Sequence, residues 1–138
     1  MKRFFTIAFG LFILVALAAT QQQKPSDVGI PAYNPAQAQT FSGTVVEVKN
    51  YQCPVSGTIG SHLSVRGMTE TREVHLAPTK FLKDYEIVLN PGDHVSVTGI
   101  KFIFDGKPAM LAGTVVAGTP VTGQSTYIFR DAKGRPEW

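Results

Sequence analysis

Cysteine is almost absent from this chain: Cys53 stands alone among 138 residues. No intramolecular disulfide can form, and without a CxxCH motif a covalently attached c-type haem is excluded. No CxxC pair offers a dithiol redox couple. No G-x-S-x-G elbow supplies a hydrolytic serine, and no glycine-rich loop of phosphate-binding spacing occurs. Charged residues are only 17% of the chain while apolar residues are 43%. That balance allows a packed core and argues against wholesale disorder. There is no internal repeat and no long amphipathic helical period. The expectation is one domain with no enzymatic role.

The one long apolar run lies at the N-terminus and reads as a secretory signal. Lys2 and Arg3 form a basic start, residues 4–17 are mostly apolar, and Ala16-Leu17-Ala18 is a small-residue cleavage pattern. The run is too short to span roughly 30 Å of hydrocarbon comfortably as a helix. Residues 1–20 are therefore expected to be a signal peptide, with a periplasmic or secreted destination and only transient contact with the membrane. No cysteine follows the run to carry a lipid. The formal charge of +3 depends on this segment, because without Lys2 and Arg3 there are 11 basic residues against 10 acidic ones. The basic balance then speaks for export more than for a nucleic-acid partner. Residues 21–40, with three prolines and five glutamines, are expected to be a flexible linker.

From Phe41 onward the texture is short β-rich runs punctuated by Gly, Pro and Asp. The runs expected as strands are residues 41–51, 62–66, 72–76, a fourth starting at His94, and 109–116. Pairing Leu63 with Leu76 and Val65 with Val74 buries all four on one side. It leaves His62, Ser64, Arg66, Glu73 and His75 on the outer side, with Arg66 opposite Glu73 and His75 opposite Ser64. Phe81, Leu82 and Tyr85 are spaced for one or two helical turns, with Thr79 as a cap. The alternation in the fourth run changes phase at Gly99, which marks a bulge. Phe102 and Phe104 are then expected to fill the barrel. Asp105-Gly106 is a hairpin turn. Five strands with a short helix between the third and fourth is the order of an OB-fold barrel. The expected fold class is all-β, an OB-fold-like five-stranded barrel over residues 41–138 with a hairpin-like C-terminal extension.

The stretches at residues 41–48, 62–65, 74–78, 91–99 and 127–138 carry the motifs G-x-V-x-x-V, G-D-x-V-x-V-x-G and R-D-x-x-G-x-P-x-W. In them the chain resembles small exported bacterial OB-like proteins, mostly of unassigned function, some of them magnetosome-associated. The resemblance implies a fold and brings no catalytic residue. Residues 53–60 do not match its pattern.

The candidate ligand-binding face is His62, Ser64, Arg66, Glu73 and His75, serving an exported, non-enzymatic binding or accessory module. Its expected partner is an envelope protein or an extended polymer. The alternative is a metal site of His62, His75 and Cys53, since imidazole and thiolate suit copper or zinc. The histidines would be diagonal neighbours, and Cys53 lies in the loop leading to His62. Exported OB-fold copper chaperones use a His, two Met and a Trp; this chain departs from that set, its Trp138 being far off in sequence. Oligonucleotide binding is a third reading, disfavoured because the face carries no aromatic platform. Cys53 itself reads as a buried small residue, with a thiol bridging to a second chain as the alternative. Trp138 is expected to pack back on the barrel beside Pro136.

Overall fold

The computed structural model describes residues 30–138. The expected signal peptide and the first part of the linker lie outside the described residues. Six strands and one short helix follow in the order β1 (Gln39–Gln52), β2 (Ile59–Arg66), β3 (Thr71–Pro78), α1 (Thr79–Asp84), β4 (His94–Phe104), β5 (Lys107–Thr119) and β6 (Gly123–Ile128). The antiparallel order is β3-β2-β1-β4-β5-β6, and a short parallel pairing of β3 with β5 joins the two sides. Five strands thus close into a barrel-like ring with β6 added outside it. Closure gives these strands partners on both sides and removes the open edges of a short sheet. The all-β class and the single helix between the third and fourth strands are as the sequence predicts.

The ring is filled by alternate residues of its strands. Val45, Leu63, Val65, Val74, Leu76, Val97, Met110 and Val115 form its interior together with Phe129. Leu63 and Val65 do face inward, and the expected bulge is present as a register shift between Thr98 and Gly99. Helix α1 turns Phe81 and Leu82 onto the same core. Thr79 does not cap it; its hydroxyl donates to the carbonyl of Ile59 and ties the helix to β2.

Three expectations need correction. The β2–β3 register is displaced by two residues: Leu63 pairs with Val74, Ser64 with Glu73, Arg66 with Thr71, and His62 with His75. A shift of two keeps every side chain on its face, so the apolar pattern alone could not choose between the registers. Phe102 and Phe104 do not fill the ring; they lie outside its core cluster and pack against His75. The linker, expected to run to residue 40, ends sooner. Residues Pro35–Gln37 form a 3-10 turn capped by Asn34, and β1 begins at Gln39.

Tyr33 anchors this entering segment. Its ring occupies the space where Gly113 and Gly134 lack a side chain; a Cβ on Gly113 would fall 2.0 Å from the Tyr33 hydroxyl. The guanidinium of Arg130 lies over the rings of both Tyr33 and Trp138, 5.2 and 5.1 Å from their centres. Asp131 accepts hydrogen bonds from the backbone of Lys133 and Arg135 and from Arg135 Nε, which shapes the turn between them. The R-D-x-x-G-x-P-x-W stretch is therefore a clamp joining both ends of the domain. Phe129, fully buried beside it, is the most exacting position. Phe129→Ala should destabilise the fold by about 3–5 kcal/mol. Arg130→Ala, which removes two cation–π contacts, should cost about 1–3 kcal/mol. Denaturant unfolding measures both, and a smaller loss for Phe129→Ala than for Arg130→Ala would contradict this ranking.

Candidate metal centre

The loop from β1 to β2 is short and closed on itself. Cys53 N donates to the Thr58 carbonyl and Gly57 N donates to the Cys53 carbonyl. Gly57 adopts a φ of 69°, which a glycine tolerates and which lets the chain reverse there. This turn holds Cys53 beside the start of β2. A register shift between Gly60 and His62 then sets the His62 ring directly across from His75. The crossing point needs a glycine: a Cβ on Gly60 would sit 2.7 Å from Cys53 Cβ and 3.3 Å from both Cys53 Sγ and His62 Cε1.

The result is a second cluster on the face of β2 and β3 opposite the ring core. Cys53, His62 and His75 offer a sulfur and two nitrogens that all lie within 4.8 Å of one another. Sγ of Cys53 is 3.5 Å from Nδ1 of His75. The two imidazoles meet edge to face with centres 4.5 Å apart. Tyr51 stacks flat on His62 at 3.8 Å, while Phe102 and Phe104 pack on His75 at 5.2 and 4.7 Å. His62 and His75 are 0% and 1% exposed and Cys53 is 3% exposed. Cys53 is buried as expected, whereas the two histidines are not the outward-facing side chains that the sequence pattern implied. Rings from β1 and β4 cover the face, and a two-residue periodicity does not reveal such a cover. Of the expected binding face, Ser64 is half-buried, Arg66 is exposed at the strand end, and Glu73 is partly covered.

Both ring nitrogens of His62, and Nε2 of His75, are buried without a hydrogen-bond partner. Polar atoms in that state are costly unless something else satisfies them. Burial holds His62 below its ordinary value and pushes His75 down to about 4, the neighbouring His62 adding to the effect. Both imidazoles are thus neutral at pH 7, the form that can ligate a metal. On the far side of His75, Nε2 lies 3.6 Å from a carboxylate oxygen of Glu73. That carboxylate accepts a hydrogen bond from the Tyr51 hydroxyl and pairs with Lys49 at 3.5 Å. Burial acts to raise Glu73, yet the Tyr51 hydrogen bond and the Lys49 ammonium hold it below its ordinary range. Tyr51 is raised in turn, by burial first and then by Glu73. A carboxylate behind a ligating imidazole fixes ring orientation in many metal sites.

Beside Cys53 and His75 runs a crevice lined also by Gly60, Ser61 and Trp138, too narrow for a water molecule. Trp138, remote in sequence, is therefore a neighbour of the cluster, packed on Phe81 and Arg130. His94 is elsewhere, 3.4 Å from the Thr44 hydroxyl.

The family model described as the MamS/MamX magnetosome protein family matches residues 37–122. The chain belongs to that family. No curated protein matches it. The span matched to the MamS/MamX family includes β1 to β5 with Cys53, His62 and His75, and excludes the Arg130–Trp138 clamp.

Sequence reasoning named the three donors and missed Gly60, Tyr51, Phe102, Phe104 and Trp138. Tyr51 was within reach: it follows Lys49 at a spacing of two, which puts both on one face of β1.

Two outcomes are expected. Gly60→Ala should force Cys53 and His62 apart and lower stability, with the thiol becoming reactive in the folded protein; a thiol still inert to a water-soluble reagent would speak against the packing. The metal-free protein should also lose stability on acidification. A histidine at about 4 when folded and 6.5 when free favours folding fully above pH 6.5. That contribution, about 3 kcal/mol, is lost as pH falls toward 4. Glu73 acts in the same direction, below the ordinary 4.5. His75→Phe should flatten the slope between pH 6.5 and 4.

Proposed function

We propose that this chain is an exported, non-enzymatic module on an OB-like barrel that binds a thiophilic transition-metal ion through Cys53, His62 and His75. The observation that carries this reading is the convergence of one sulfur and two nitrogens within 4.8 Å, with both ring nitrogens of the buried His62 left without a hydrogen-bond partner. Thiolate and imidazole are the donors that copper and zinc prefer. Glu73 behind His75, itself fixed by Tyr51 and Lys49, supports a set orientation of that ring. The export half of the proposal rests on residues 1–20 and implies a periplasmic or secreted protein.

A second reading, a docking surface for an envelope protein or polymer, draws on a different place. Phe81, Tyr85, Ile87, Tyr127 and Ile128 line an open groove between α1 and β6, and Tyr85 and Ile128 are largely exposed. Oligonucleotide binding has less support: Tyr51 stacks on His62, and Phe102 and Phe104 pack tilted and edge-on against His75, which leaves them poorly disposed as base platforms.

Equilibrium dialysis of the reduced full chain against copper or zinc should give one bound ion per chain and a raised thermal midpoint. Cys53→Ser and His62→Gln should each weaken binding at least about tenfold to a hundredfold with the fold intact by circular dichroism. Failure of the wild-type chain to bind either ion would retire the proposal.

A further inference from the structure

This inference rests on the metal-centre reading and narrows its ligand: the geometry points to a monovalent soft ion, copper(I), held in three-coordination by Cys53, His62 and His75.

The donor count comes first. Among the described residues, only these three gather as a group. The nearest carboxylate, Glu73, lies behind His75 and is engaged by Tyr51 and Lys49. Met110 is buried in the ring core and Met68 is fully exposed, so neither thioether belongs to the cluster. Zinc is almost always four-coordinate, its fourth position filled by another side chain or by water. The crevice beside Cys53 has no room for a water molecule, and the other walls are the rings of Tyr51, Phe102 and Phe104. A three-donor set closed in this way suits an ion that accepts three ligands.

Charge gives the same answer. One thiolate and two neutral imidazoles carry a single negative charge. A monovalent ion cancels it, whereas a divalent ion leaves one positive charge in a dry, aromatic surround. The Glu73 carboxylate, 3.6 Å from Nε2 of His75, lies outside the donor set and is held by Tyr51 and by Lys49, which also pairs with Glu47. An unbalanced buried charge is strongly penalised. The donors agree in softness, thiolate being a ligand that selects copper(I). Loading is an exchange without electron transfer: the S–H bond of Cys53 breaks, an S–Cu bond forms, and one proton passes to solvent.

The test sets copper(I) and zinc against chromophoric chelators, separately and without oxygen, on the full chain. Copper(I) should bind one per chain and roughly a thousandfold more tightly than zinc. X-ray absorption of the copper(I)-loaded wild-type protein should find one sulfur and two nitrogen neighbours and no fourth ligand. It needs no variant, so a misfolded substitution cannot obscure it. Zinc binding as tight as copper(I), or a fourth ligand on copper, overturns the copper(I) assignment and leaves the metal-centre reading standing. Binding of neither ion overturns both. Silver(I), a monovalent ion without accessible redox chemistry, should compete with copper(I); a silver(I) affinity no better than that of zinc would contradict the charge argument.

Discussion

Two imidazoles packed edge to face, both stripped of water, set the conditions for the rest of this molecule. Their burial is what makes them neutral, and their neutrality lets a thiol, a tyrosine and two phenylalanines close around them. In an ordinary hydrophobic cluster this would be an expensive choice, because nitrogen atoms without partners cost more than carbon of the same shape. The chain nevertheless uses a bulge, a glycine and a tight six-residue turn to bring them together. Three local devices that all serve one cluster are difficult to account for by packing alone.

The sheet consequently has two cores. One fills the ring with aliphatic side chains and Phe129. The other, on the opposite face of β2 and β3, is polar in its atoms and aromatic in its walls. Alternate residues of the same two strands feed the two: Leu63 and Val74 face one way, His62 and His75 the other. The ring core supplies the stability that fixes the backbone, and a rigid backbone holds the donors at a set spacing without support from a bound ion. Burial on both faces also explains why β2 and β3 are short yet nearly continuously covered.

Much of this was legible in the residues. Alternation in β2 and β3 identified which side chains share a face, and the break at Gly99 identified the bulge. Register was not legible, since the observed pairing and its neighbour two residues away bury the same aliphatic set. The choice between them depends on where the turn after Arg66 closes and on the Gly60 bulge, both properties of backbone geometry. The burial of His62 and His75 was illegible for another reason. Their cover comes from Tyr51 on the neighbouring β1 and from Phe102 and Phe104 on β4, whose approach is decided by ring closure. Trp138 shows the same limit, since only the folded chain reveals that it lines the crevice at Cys53.

The distances along the chain separate the parts of this cluster in time. Cys53 lies in the turn between β1 and β2, and His62 and His75 lie on β2 and β3, joined by short connections whose loop-closure cost is small. The phenylalanines of β4 and Trp138 reach them only through contacts of long sequence separation, which form slowly. The three donors, with Tyr51, can therefore meet within one local three-stranded unit before the phenylalanine cover and the C-terminal clamp are in place. Assembly from the inside out would leave the thiol and imidazoles open to solvent during folding and close the crevice over them afterwards.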